Sequence, residues 1–202
     1  MVSRIPTTLL LVVLMSSARS PGQEQSQPEA QAKPAGGAKI YTAYNLWYEK
    51  PENISCVNYR RGVMIPAGTE LASIELGSRR GKPLISFTTS QGQGRYVIHF
   101  RKKFHPGLTP EEFMRRMVTN ESFEELTKGF SEKEIDAIKK GKLIVGMGKK
   151  AVLTCRGYPP EHRTPSLDAN QWLYWDNRFR TKYVHFDDNG RTIRPPFDED
   201  DF

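Results

Sequence analysis

Apolar positions change their spacing near residue 105. From Lys39 to Phe104 they come in short runs broken by turn residues, which is a strand signature. Ile40–Tyr48 is rich in aromatics, and Ile54–Tyr59 and Glu70–Leu76 alternate, with Leu71, Ile74 and Leu76 as core candidates. Val63–Ile65, Leu84–Thr88 and Arg95–Phe100 are further compact runs, and turns are expected at Pro66-Ala67-Gly68-Thr69, Gly77–Gly81 and Gln91-Gly92-Gln93-Gly94. Five or six strands in about sixty residues predict a small antiparallel β barrel or strongly bent sheet, SH3-like in size, over residues 39–104. Gln91–Gly94 lacks the Gly-Lys-Ser/Thr of a phosphate-binding loop, so its glycines serve a hairpin.

Helical signals follow. Thr109-Pro110-Glu111-Glu112 is a capping box with Pro at the first helical position, opening a helix through Val118 whose apolar side is Phe113, Met114 and Met117. Ser122 with Glu125 caps a further turn or two that Gly129 ends. Residues 105–130 therefore read as bridging helices. Ser131 with Glu134 opens another helix, ended by Gly141. A last helix follows Gly146-Met147-Gly148, runs through Val152 and Cys155, and stops at Gly157 ahead of Pro159 and Pro160. Gln171–Trp175 and Lys182–Phe186 suit strands, and Asp187-Asp188-Asn189-Gly190 turns into a short strand at Thr192 and Ile193.

Gly141, Gly146-Met147, Val152, Gly157 with Pro159, the Trp172-Tyr174 strand and the Val184, Phe186, Gly190 hairpin form an ordered set. That set resembles the BamE (SmpA/OmlA-like) family, the small lipoprotein subunit of the outer-membrane β-barrel assembly machine. A paired version of the same two-helix, sheet unit occurs in β-lactamase inhibitor proteins. The resemblance implies a helix-helix-antiparallel sheet module over residues 131–195 and a role in envelope assembly or maintenance. The whole is then an α+β chain: β barrel or bent sheet, bridging helices, BamE-like module. Gly148 stands where the family has a Ser or Thr N-cap, so that helix start is looser here.

The ends of the chain add a compartment. Residues 1–20 read as a signal peptide: Arg4 in the n-region, Leu9–Met15 as the apolar core and Ala18-Arg19-Ser20 as a small-x-small cleavage site. No Cys stands near that site, so the lipid anchor of the resembled family is not expected. Residues 21–38, rich in Gln, Pro, Ala and Gly, read as a disordered linker, and residues 196–202 as an acidic tail. The expectation is an exported protein of periplasm or exterior, with no transmembrane segment in the mature chain.

The formal charge is +7, unevenly spread: residues 39–197 hold 27 Lys and Arg against 17 Asp and Glu, while Asp198-Glu199-Asp200-Asp201 is a negative block. A basic body suits an envelope or outer-membrane protein with an acidic face, or anionic lipid headgroups; export argues against nucleic acid. The tail could fold back on the body as a weak internal screen.

Candidate chemistry is sparse. Cys56 and Cys155, an even pair in an exported chain, read first as a disulfide. A nucleophilic Cys155 with His162 or His185 is the basis of the alternative, a hydrolase with its site between modules, but no catalytic signature surrounds either cysteine. His99, His105, His162 and His185 lack metal-ligand spacing, so neither metal nor cofactor is expected. Asn53-Ile54-Ser55 and Asn120-Glu121-Ser122 fit the glycosylation pattern, which matters only in a eukaryotic secretory pathway. Alternation along the strand puts Trp172 and Tyr174 on one face and Trp175 on the other, so one face should show an aromatic to solvent near Arg178, Arg180 and Lys182. These six residues are the predicted partner-binding surface of a non-catalytic binding module.

Overall fold

The computed structural model describes residues 39–92 and 94–193. The expected signal peptide, linker and acidic tail lie outside the described residues. Among the described residues the fold is α+β: a curled mixed sheet forming a half-barrel, and four helices. In chain order the elements are β1 (Ile40–Thr42), β2 (Leu46–Tyr48), β3 (Ile54–Ser55), β4 (Val63–Ile65), β5 (Glu70–Arg79), β6 (Lys82–Thr89), β7 (Arg95–His99), α1 (Pro110–Met117), β8 (Val118–Thr119), α2 (Phe123–Leu126), α3 (Glu132–Lys140), α4 (Lys149–Arg156), β9 (Gln171–Trp175), β10 (Thr181–Phe186) and β11 (Thr192–Ile193). Among the described residues no helix is long and apolar enough to cross a membrane.

The N-terminal half departs from a simple antiparallel barrel. Its main sheet has the order β3-β7-β6-β5-β1-β8, and β3 runs parallel to β7. β2 and β4 split off as a separate two-stranded ribbon, so the aromatic-rich Ile40–Tyr48 run serves two sheets. β8 comes from the predicted bridging region: α1 ends at Met117, and Val118 pairs with Thr42. β5 and β6 are longer than their hydrophobic pattern, because a two-residue turn at Arg80-Gly81, both with positive φ, lets the ladder run to Arg79↔Lys82. A bulge between Leu71 and Ser73 helps the sheet curl over α1, whose Phe113 and Met117 join Ile74, Ile85, Phe87 and Ile98 in the first apolar cluster.

The C-terminal half follows the expected order: α3, α4, then the β11-β10-β9 sheet. Ile138, Val152, Trp172, Tyr174, Val184 and Phe186 build the second cluster. α3 ends at Gly141 with φ 64, and a Cβ there would lie 2.8 Å from Met64 Sδ and 2.9 Å from Trp47 Cζ2. Glycine is needed both for the left-handed cap and for the approach of the β2–β4 ribbon.

α4 has no side-chain cap at Gly148, as its sequence implies, and Glu134 of α3 supplies a substitute. One Glu134 oxygen accepts the Ser131 N–H at 2.9 Å and the other accepts the Gly148 N–H at 2.9 Å and Arg191 Nη1 at 3.2 Å. The carboxylate thus ties α3, α4 and the turn before β11. Burial pushes its pKa up, but the N–H groups of Gly148 and Ser131, the Ser131 hydroxyl and the Arg191 charge outweigh that and hold it below its ordinary value.

Two asparagines join the halves. Asn45 Nδ2 donates to the carbonyls of Ile138 (2.8 Å) and Cys155 (3.2 Å), and its Oδ1 accepts the Ala67 N–H at 2.8 Å. Asn58 Oδ1 accepts the Trp47 N–H at 3.0 Å, and its Nδ2 donates to the carbonyls of Asn45 (2.9 Å) and Arg156 (3.0 Å). Asn58 also takes φ 52, which Asn tolerates better than most residues.

The expected Cys56–Cys155 bridge does not form. Cys56 belongs to the first apolar cluster and Cys155 to the second, and both are buried free thiols. The Cys155 thiol donates instead to the Lys142 carbonyl at 3.3 Å.

Two outcomes follow from this packing. Asn45→Ala takes their partner from the buried Ala67 N–H and Cys155 carbonyl, while the Ile138 carbonyl keeps the Gly141 N–H at 3.0 Å, so it should cost about 2 kcal/mol or more, read as a lower urea midpoint at unchanged m-value. Glu134→Gln should cost about 1–3 kcal/mol near neutral pH. Because the folded pKa lies below the unfolded one, the carboxylate contributes fully above the unfolded value of about 4.3. That contribution is lost as pH falls through the folded pKa. The stability gap between parent and Glu134→Gln, measured in urea from pH 7 down to pH 3, should therefore close on acidification.

Candidate anion-binding groove

The residues predicted to form an exposed aromatic surface are mostly inside. Trp172 is 0% exposed, set edge-on to Phe186 with ring centroids 4.6 Å apart. Tyr174 is buried too, its hydroxyl donating to the Gly157 carbonyl at 2.9 Å. On the other face Leu173 is buried and Trp175 half-buried against Tyr59, Phe104 and His162. The premise that one face of β9 meets water is corrected: the helices cover one face, and the N-terminal half and the 158–164 segment cover the other. Lys182 is half-buried, while Arg178 and Arg180 are exposed. Of the six, Arg178 alone lines a concavity described here.

That concavity is a groove between the β sheet and the turn joining β9 to β10. It consists of two adjoining hollows, ≈ 570 Å³ and ≈ 640 Å³, that share Asn53, His99 and Arg101. Four cations, Lys50, Arg61, Arg101 and Arg178, line the first hollow. Arg79, Arg80, Lys82, Lys102 and Lys103 join Arg101 in the second. Glu49, ion-paired with Arg61 at 3.3 Å, is the one carboxylate in either lining among the described residues. Tyr48, Tyr59 and Phe104 add half-buried aromatic walls.

Local structure places these charges together. The tight Arg80-Gly81 turn throws Arg79, Arg80 and Lys82 to one rim. Beyond β7 the chain turns at once, with the Phe104 N–H donating to the Arg101 carbonyl at 3.0 Å and the His105 N–H to the Lys102 carbonyl at 3.1 Å. Lys102 Nζ donates to the Leu108 carbonyl at 3.0 Å, and Lys103 Nζ sits 4.8 Å above the Phe104 ring. The parallel β3–β7 pair, with the Val97 N–H donating to the Pro51 carbonyl at 2.7 Å, holds Lys50 and Asn53 against the sheet edge.

The far wall is set by Asp176. Arg156 Nη2 and Arg60 Nε each lie 3.5 Å from one of its oxygens, and Arg180 Nε lies 3.9 Å from the other. Arg156 is buried between the rings of Trp47 (5.7 Å) and Tyr174 (5.3 Å), and burial lowers its pKa. The Asp176 N–H donates to the Arg180 carbonyl at 2.9 Å, and Asn177 Oδ1 accepts the N–H groups of Phe179 (2.8 Å) and Arg180 (3.0 Å). The turn is thereby braced from below, with Arg178 toward the groove and Phe179 81% exposed.

No family model, curated protein or solved structure matches this chain. The groove was missed because its charges come from five separate places in the chain. The two densest positive runs of the N-terminal half, Arg79-Arg80-Gly81-Lys82 and Arg101-Lys102-Lys103, each sit at a turn and were the available signal.

The Cys155–His162 pair offers no nucleophile. Cys155 is fully buried and its pKa is pushed up to about 12, chiefly by burial, while His162 Nδ1 faces the Phe104 carbonyl at 3.3 Å. Burial pushes the Cys56 thiol up to about 11. Among the described residues no group of three or more His, Cys, Asp or Glu could hold a metal ion. Native protein at pH 8 should therefore react with a thiol reagent only as fast as it opens, and denatured, unreduced protein should give two thiols per chain. A reading of none would restore the disulfide.

Proposed function

We propose that this protein is an exported, non-catalytic binding module of the bacterial cell envelope that holds an anionic partner in the groove. The observation that carries the reading is the nine cations that line the two hollows, with one carboxylate among the described lining residues. Such a concentration of like charge on facing walls raises the local potential and speeds the approach of anions. Charge of this density is costly to assemble for solubility alone, since the same cations scattered over the surface would repel one another less. The aromatic walls would supply contact area once a partner is seated.

Export is supported by the Met1–Ser20 pattern, and a likeness to BamE by the order α3, α4, β9, β10, β11. The groove itself belongs mostly to the N-terminal half, so the partner would be met by the part that the resemblance does not cover. The acidic face of an envelope or outer-membrane protein fits best, because the cations are spread over two adjoining hollows that share polar groups, Asn53 and His99.

A direct test uses fluorescein-labelled polyglutamate as an acidic-polypeptide probe, with phosphatidylglycerol vesicles as a second arm. Parent protein should bind polyglutamate at low ionic strength and release it as salt rises. The exposed triple variant Arg79→Glu, Arg101→Glu, Lys103→Glu should fold as the parent does by circular dichroism and bind at least about tenfold more weakly, chiefly through slower association. Equal binding by parent and triple variant overturns the reading. Binding to the vesicles but not to polyglutamate moves the partner to lipid.

A further inference from the structure

We propose that the groove's Arg178 end is a docking surface for the chain's own acidic segment Asp198–Phe202, which competes there with the external partner. The inference rests on the anionic-partner reading and adds an occupant for the free protein. Three observations converge on it.

Strand direction comes first. β11 pairs with only one end of β10, His185↔Ile193 and Phe186↔Thr192, while β9 pairs with the other side of β10 from Thr181 to His185. Because β11 is antiparallel to β10, a chain leaving Ile193 in the same direction heads toward Thr181 and the Asp176–Arg180 turn. Among the described residues no strand lies along that edge of β10 beyond the two paired residues.

Reach agrees. His185 to Thr181 is four residues of strand, about 13 Å at about 3.3 Å per residue. Arg194–Phe197 is also four residues, and Pro195-Pro196 favours an extended course of about 3.1 Å per residue without requiring ladder hydrogen bonds. Four residues are thus enough for Asp198 to reach the turn in the proposed docking.

Chemistry completes the match. Asp198-Glu199-Asp200-Asp201 would meet a turn carrying Arg178 and Arg180, both exposed. The turn also displays Phe179, and the segment carries Phe202, so an apolar contact would accompany the charge pairing. Each exposed ion pair is weak. Tethering offsets this, because a short linker holds the segment at an effective concentration of about a millimolar or more.

The test compares the full chain with a chain ending at Phe197. Removing residues 198–202 should tighten polyglutamate binding about three- to tenfold at low ionic strength and leave it unchanged at about 0.5 M salt, where the Debye length is a few Å. The full-length variant Asp198→Asn, Glu199→Gln, Asp200→Asn, Asp201→Asn should behave like the shortened chain. Amide hydrogen exchange over residues 177–183 should be slower in the full chain. In an Arg178→Glu, Arg180→Glu background, removal of the segment should no longer tighten binding. Equal affinity and equal exchange in the two chains overturn the proposal even if the groove variants confirm anion binding. Slower exchange with no polyglutamate binding by either chain would support docking of the segment while overturning the groove's proposed function.

Discussion

Two buried amides decide how this molecule is put together. Asn45 and Asn58 bond to backbone groups of β2, the turn before β5, α3 and α4, at the seam between two apolar clusters. Apolar faces alone are non-directional and would let the halves slide. Amides cannot, since a shift of an ångström or two strands several polar groups in a dry seam. The seam fixes the angle between the sheet and the C-terminal half, and so brings the β9–β10 turn up to the Arg101 side.

Arg156 and Asp176 show how the seam reaches the groove. The guanidinium is enclosed by Trp47 from one half and Tyr174 from the other, and its carboxylate partner sits at the root of the turn that displays Arg178. A buried ion pair adds little net stability, because desolvation offsets attraction, yet a mismatched one is heavily penalised. Its effect here is positional. It makes one placement of the turn acceptable, and that placement shapes the far wall of the groove.

Local signals in the sequence were legible. Capping boxes at Thr109, Ser122 and Ser131 and the stops at Gly141 and Gly157 mark helix ends because capping involves residues three or four apart. The strand runs were located for the same reason. What failed was partner choice: β3 pairs parallel to β7, β2 leaves the main sheet, and both faces of β9 are covered. Each depends on residues far along the chain, which period-two alternation does not report. The disulfide expectation failed likewise, since an even cysteine count says nothing about which core each thiol enters. The predicted basic–aromatic surface did not assemble where strand alternation put it, because Trp172 and Tyr174 met a helix layer, while Arg79, Arg80 and Lys103 converged from turns.

The span of the Asn45 bonds has a consequence for how the chain acquires its structure. The carbonyl of Cys155 lies 110 residues beyond the amide that binds it. A chain emerging N-terminus first can curl its main sheet early, since β5, β6 and β7 pair with near neighbours. Its β2–β4 ribbon must then wait, with Asn45 and the Trp47 ring solvated, until α3 and α4 have followed. Over that interval the unfinished seam is an apolar and polar edge open to the wrong partner. Completion of the protein is set by the arrival of its last third, whatever the speed of the first.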